Sequence, residues 1–282
     1  MKLILSRKGF DSSAGGCPSP VFPDNSFYAL PIPDKKSRIT YQELNYQGIN
    51  IGKLVADLTG DPRRIAHYAH LDPDLIDHVY PRHTDWRPLL GQSGSAQGHL
   101  RKQEVGVGDV FMFFGLFRPV EKSGENWRFI KSAPAFHALW GWLQIGEIRK
   151  VDQLAEKELA WARYHPHFHG QIDASNTLYL ASETLRLDGL DIGLPGAGTF
   201  RQMHDQYRLT APGVTSPTHW RLPGFFYPNS SGFTLSFHSN PARWSRAGKY
   251  CHLMSASRGQ EFVLDASGYP EAISWLNGLL RQ

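Results

Sequence analysis

The chain has 282 residues, 41% of them hydrophobic and 12% aromatic, which gives enough material for a sizeable core and argues against disorder. Thirty Lys and Arg against 26 Asp and Glu leave a formal net charge of +4, too mild by itself to indicate a nucleic-acid partner. The two cysteines, Cys17 and Cys251, exclude a disulfide-dense scaffold and fit free thiols in a reducing cytosol. The apolar start is too short for a signal-peptide core, and no apolar run approaches the ~18 residues of a membrane span. The expectation is a soluble, cytoplasmic protein with no membrane partner.

Leu3 to Leu5 read as a first strand, which runs into Ser6, Arg7, Lys8, Asp11, Ser12 and the Gly15–Gly16 pair. Hydroxyls, cations and glycines at a strand end suit a grip on an anion, since glycines admit close backbone approach and the cations supply charge. A solvated turn after an edge strand fits the same residues. Prolines at 18, 20, 23, 31 and 33 predict an extended arm over residues 12–38. Thr40 with Glu43 forms a capping box, and a short helix is expected over 49–58. Asp72 followed by Pro73 reads as an N-cap with proline at the first helical position.

Residues 91–100, GQSGSAQGHL, read as a polar loop. Gln92 and Gln97 each offer a donor and an acceptor for a base edge, Ser95 adds a hydroxyl, and His99 can act as an acid or base near neutral pH. An exposed surface loop is the plainer alternative. Residues 106–118 predict a turn and a strongly apolar strand, 125–130 a second strand, and 136–151 a long strand with bulges at Gly141 and Gly146. A helix is expected over 152–164. In RYHPHFHG, an extended backbone would put His165, His167 and His169 on one face. No Cys or carboxylate stands at ligand spacing, so no metal ligand is assigned and no cofactor is identified. The stretch is read as base- or phosphate-facing histidines, or as a solvated turn, with a metal held by the three histidines as a further alternative.

One long strand or a pair follows over 176–187, then a turn over 194–200, a hairpin over 224–238, a strand over 261–265 and a closing helix over 270–280. Residues 201–260 carry Arg201, Arg208, Arg221, Arg243, Arg246, Lys249 and Arg258 against a single acid, Asp205, with aromatic residues interleaved. Cations neutralise phosphates and rings stack on bases, so this region favours nucleic acid slightly over an ordinary basic surface. Mixed strands and helices without βαβ alternation indicate α+β. Walker A, dinucleotide-fold, zinc-protease and nucleophile-elbow motifs are all absent, as is C-x-x-C.

The central strands resemble PUA-like barrels such as the EVE and ASCH domains. That resemblance implies a mixed sheet with a barrel core at about 104–190, decorated by helices and long loops, with the basic aromatic region at about 200–260. Trp140 and Trp142, with Phe114 and Phe117, would then line a pocket for a flipped base, although ordinary core packing explains any one of them equally well. Over residues 1–240, the ordered motifs SRKGFDSSAGGCPSP, HLDPDL, GQSGSAQGHL, GDVFMFFGLFR, WGWLQIGEI, HPHF and LPGAGTF resemble the third nucleotide-modification-associated domain family. The resemblance implies a single domain, a setting in bacterial or phage DNA base modification, and partners that are DNA or a nucleotide and other components of a base-modification operon. Its polar motifs fall on Ser6, Arg7, Lys8, Asp11, Ser12, Asp72, Gln92, Ser95, Gln97, His99, His165 and His167.

The reading leans to an enzyme acting on a nucleotide or flipped base. Asp11 or His99 would be acid or base, with Ser6 and Ser12 beside them. Arg7 and Lys8 would hold phosphate, with Arg221 contributing from the basic region. Gln92 and Gln97 would read the base. Two alternatives are a non-catalytic reader of modified bases and a DNA-directed nuclease or glycosidic-bond hydrolase.

Overall fold

The computed structural model describes residues 1–228, 234–256, 259–267 and 269–281. Continuous apolar runs become strands covered on both faces. In chain order the strands are β1 (Lys2–Arg7), β2 (Ser19–Val21), β3 (Leu89–Gln92), β4 (Val110–Ser123), β5 (Asn126–Phe129), β6 (Phe136–Lys150), β7 (Thr177–Ala181) and β8 (Ala197–Thr199). Strands β9 (His219–Pro223), β10 (Trp244–Ala247) and β11 (Tyr250–Met254) form a separate antiparallel sheet, and β12 (Glu261–Asp265) returns to the main one. Three α-helices are described: α1 (Ile51–Thr59), α2 (Gly94–Lys102) and α3 (Pro270–Leu280). The mixed α+β class is thus observed, and sheet dominates. No described helix is long and apolar enough to cross a membrane.

The main path of strands runs β12–β1–β4–β6–β7–β3, with β2 and β5 added to β4 and β8 to β6. Strands β1 and β4 are parallel, with Leu3 opposite Val110 and Arg7 opposite Phe114, and every other step of the path is antiparallel. The ladder shifts register between Leu139 and Gly141 and again between Ile145 and Glu147, so bulges fall where the glycines predict them.

Among the described residues no backbone ladder joins the two ends of this path, and the expected closed barrel is not seen. Yet Gln92 on edge strand β3 donates from Nε2 to Glu261 Oε1 on the opposite edge strand β12. Six strands about 4.8 Å apart would hold the edges of a flat sheet roughly 24 Å from one another. The sheet is therefore curled, and side chains bridge its seam. Helix α2 packs there: Leu100 is buried, and His99 Nε2 lies 2.9 Å from the Ser236 hydroxyl, which accepts from the β12 amide of Val263.

The main core gathers Phe111, Phe113, Phe114, Trp140, Trp142, Trp220 and Phe262 on the sheet. A second core forms where the N-terminal arm and α1 meet around Phe10, Tyr41 and Leu54. Helix α1 is capped by the Asn50 side chain at its start and left-handed Gly60 at its end. The arm and the capping box (Thr40 N donates to Glu43) match expectation.

Four expectations are corrected. Residues 152–164 form separate 3-10 turns rather than a helix, because Leu159 is left-handed and Glu158 is turned back onto the Ala155 amide and Arg149. Asp72–Pro73 starts no helix: the segment is extended, and Asp74 exchanges backbone hydrogen bonds with Leu89 on β3. Residues 91–100 are not a loop but the end of β3 and most of α2. Residues 194–200 carry the end of a strand at Leu190–Pro195, which pairs antiparallel with Thr184–Leu187, and the whole of β8, rather than a turn alone. Of the hairpin over 224–238, residues 229–233 lie outside the described set, and Gly224–Phe226 is a 3-10 turn.

Candidate functional site

The loop after β1 faces the arm, the extended segment at 70–72, the end of β3 and the 166–176 segment across a cleft of ≈ 950 Å³. Arg7, Lys8, Asp11, Asp72, Gln92 and His167 all line it, so motifs separated by up to 160 residues share one concave surface. Gly259 and Gln260 of the last third border it too.

The floor is ionic and almost dry. The Asp72 and Glu261 side chains are 2% and 1% exposed, and the Lys8 ammonium lies between them, 3.8 Å from Asp72 Oδ2 and 3.7 Å from Glu261 Oε1. Asp72 Oδ1 accepts from the Gly91 amide at 2.6 Å and stands 3.3 Å from His165 Nε2. Ser6 and Gln92 both donate to Glu261 Oε1, while Glu261 Oε2 is buried with no hydrogen-bond partner. Burial alone would raise the Asp72 carboxyl, but His165, Lys8 and His167 overcome it and hold the group below the ordinary aspartate range. Burial dominates at Glu261 and raises it, against the pull of Lys8, Ser6 and Gln92. Two carboxylates that share one ammonium thus divide: Asp72 is the anion, and Glu261 is the readier to take a proton.

Two histidines border the Asp72 carboxylate on the cleft side. His70 Nε2 is 3.8 Å from Asp72 Oδ2 and His167 Nε2 is 3.9 Å from it. Their other ring nitrogens are engaged: His70 Nδ1 lies 2.8 Å from Asp34 Oδ2, and His167 Nδ1 lies 2.6 Å from Asn176 Oδ1. Burial, only partly offset by Asp72, lowers His167 to about 4, so its ring is neutral at pH 7. Gly91 makes room for that ring, since a Cβ there would lie 2.2 Å from His167 Cδ2. His70, Asp72 and His167 bring three ligand-type atoms within 4.8 Å of one another.

The sequence candidates divide into several groups. Lys8, Asp72, Gln92 and His167 form the floor and wall, and Arg7 lines the cleft with its guanidinium over the Phe114 ring and Nη2 donating to Ala256 O. Asp11 also borders the cleft, but its Oδ1 accepts from the Ser13 and Ala14 amides and the Ser13 hydroxyl, so it holds the loop's shape. Ser6 and His165 are buried behind the wall, each facing a carboxylate. Gln97 turns into the sheet and accepts from the Tyr179 hydroxyl, and His99 lies in the seam against Ser236 and Phe237. Ser12 and Ser95 are exposed away from the cleft lining.

Trp140 and Trp142 are each 7% exposed and Phe114 and Phe117 fully buried, so they pack the core rather than offer a stacking surface. Arg221 sits on the small sheet over Tyr250, outside the cleft lining. The expected face of His165, His167 and His169 does not form, because Pro166–Phe168 is a 3-10 turn. His70, Asp34 and Glu261 escaped the sequence reading. A signal for the first was present: in HLDPD, His70 and Asp72 are two apart, and an extended segment turns such residues to one side.

A family model described as nucleotide modification associated domain 3 matches residues 2–265. No curated protein and no solved structure matches the chain.

Proposed function

The chain belongs to the nucleotide modification associated domain 3 family, and from that premise we propose that the ≈ 950 Å³ cleft binds a nucleotide or a base extruded from DNA and acts on it. The observation that carries this reading is the convergence of Lys8, Asp72, Gln92 and His167 on one wall of a cleft at the upper end of the size range for ligand sites. A buried carboxylate held ionised, a neutral imidazole and an amide together complement the donor and acceptor edge of a base. Arg7, Lys8 and Lys36 line the same cleft and supply the charge a phosphate needs.

Asp72 accepts hydrogen bonds from ring N–H or amino groups, and neutral His167 carries a proton to or from the reacting atom. Glu261 does not line the cleft; it positions Lys8 from behind. The working partners in this reading are DNA or a nucleotide and other components of a base-modification operon. The reading needs no closed PUA-like barrel, since the curled sheet already presents the cleft. A reader that stacks its base on Phe114, Trp140 or Trp142 has no exposed ring to use.

The test pairs chemistry with binding. Mass spectrometry compares DNA nucleosides from cells that produce the wild-type protein with its genomic neighbours and from cells with Asp72→Asn in its place. An altered nucleoside present with wild type and lost with Asp72→Asn supports the reading. Oligonucleotide titrations at two salt concentrations report on recognition. No altered nucleoside, together with binding that is salt-dependent and blind to base identity, overturns it.

A further inference from the structure

We propose that His70, Asp72 and His167 form a binding site for one divalent first-row transition metal, a site that goes beyond the nucleotide reading and does not depend on it. Three observations converge. First, the side chains present two imidazole nitrogens and one carboxylate oxygen within 4.8 Å of one another. Atoms bound about 2.1 Å from a tetrahedral metal stand roughly 3.4 Å apart. The separations of 3.8 Å and 3.9 Å from Asp72 Oδ2 to the two Nε2 atoms need only a small contraction to reach that, yet are too long for hydrogen bonds.

Second, the hydrogen bonds behind the rings fix which nitrogen is free. Asn176 Nδ2 donates to the His167 carbonyl at 2.8 Å, which orients the amide so that its Oδ1 must accept from His167 Nδ1–H. His70 Nδ1 faces the Asp34 carboxylate, which can only accept from it when ionised. Both Nε2 atoms then direct lone pairs toward the same anionic oxygen. That arrangement is the usual one for metal-bound histidines, whose second nitrogen donates to a carboxylate or carbonyl.

Third, the position is open on one side. His70 is 21% exposed, and all three residues line the cleft, so further coordination positions face solvent and substrate. Lys8 approaches Asp72 Oδ2 at 3.8 Å, but Glu261 lies 3.7 Å from the same ammonium and provides it with a second anion when a metal takes Asp72. Two imidazoles and one carboxylate suit Fe²⁺, Mn²⁺, Co²⁺ or Zn²⁺ and not the hard, oxygen-seeking Ca²⁺ or Mg²⁺.

The experiment uses the full chain, freed of metal with a chelator and titrated with Co²⁺ in the absence of nucleic acid. Calorimetry gives the stoichiometry, and visible absorption reports imidazole and carboxylate ligation. The expected result is one Co²⁺ per chain, at least 100-fold weaker binding in His70→Ala and in His167→Ala, and binding weakened about 10- to 100-fold in Asp34→Asn, whose side chain meets the far nitrogen of the His70 ring and the Lys36 amide but none of the proposed ligand atoms. Thermal melting followed by circular dichroism shows whether each variant is folded, and only the wild type should gain melting temperature sharply with Co²⁺. The proposal is overturned if the wild-type chain takes up no stoichiometric Co²⁺, or if folded His70→Ala binds as tightly as wild type. Neither outcome bears on whether the cleft takes a nucleotide, but one Co²⁺ per chain bound through both histidines would move Asp72 Oδ2 and His167 Nε2 from the base-facing roles given above to the metal.

Discussion

The two halves of the buried sheet face differ in kind. On one side of the β1–β4 pair, Phe114, Trp220 and Phe262 pack edge to face or stacked around His137, whose Nδ1 accepts from the Trp220 indole at 3.0 Å. There the His137 ring is neutral and matched to one donor. At the other side, Asp72, Glu261 and His165 are just as buried and Lys8 nearly so, but they carry charges, long contacts and an orphaned oxygen. Packing accounts for the first half completely. It does not account for the second, because buried ion pairs give little net stability over apolar residues of similar shape. The contrast teaches that in this molecule unsettled burial of charge, rather than aromatic density, borders the cleft to which the proposed function is assigned.

The comparison can be broken most forcefully at its centre. Lys8→Ala leaves Asp72 and Glu261 facing one another without their shared cation, and a loss of about 3–5 kcal/mol is expected in urea unfolding. A loss below about 1 kcal/mol would show the ionic floor to be solvated after all. Next comes Gly91→Ala, whose methyl group would meet the His167 ring. Overpacking of this kind costs about 1–3 kcal/mol, and displacement of the ring should appear as altered His167 shifts in NMR and weaker ligand binding in the cleft.

The aromatic half is sharpened by acid. Burial, aided by Arg7, lowers His137 to about 3, far below its value in an unfolded chain. The unfolded state therefore binds a proton that the native state refuses. Stability should be flat above about pH 6.5 and fall as the pH drops from there toward 3, at up to about 1.4 kcal/mol per pH unit from this ring. His137→Asn should flatten that slope in urea midpoints measured between pH 7 and 4; an unchanged slope would assign it to other groups. Smaller again is Tyr179→Phe, which removes the hydroxyl that donates to Gln97, for about 1 kcal/mol in the same assay. Ser95→Ala, at an exposed position, should change stability by less than about 0.5 kcal/mol and leave oligonucleotide binding intact.

Much of the sheet was legible because its strands are extreme: β1, β4 and β6 are apolar enough to admit one assignment, and Gly141 and Gly146 announced their bulges. Helix α2 was not, since two glycines and a single large apolar residue, Leu100, disguise a helix that is fixed by its seat in the seam. The 152–164 segment erred the other way: its composition favours a helix, and the local pull of Glu158 on Ala155 and Arg149 overrides it. In the cleft, charged residues in glycine-rich loops were visible from the chain alone. Glu261 was not, because in EFVLD it looks like the solvent-facing member of an ordinary strand. Only the curl of the sheet, which no local pattern encodes, turns it inward onto Lys8. Asp11 and His99 have suitable chemistry, but the fold uses one to shape a loop and the other to fill a seam.

The clasp between Gln92 and Glu261 has a consequence for biosynthesis. Its partners are 169 residues apart, and the companion bond from Ser6 to Glu261 spans 255. A ribosome must therefore deliver the whole stretch from Lys8 to Glu261 before the Lys8 ammonium finds its second anion. Products that stop short of Glu261 would contain every motif of the N-terminal half and still lack the contacts that Ser6, Lys8 and Gln92 make with its carboxylate.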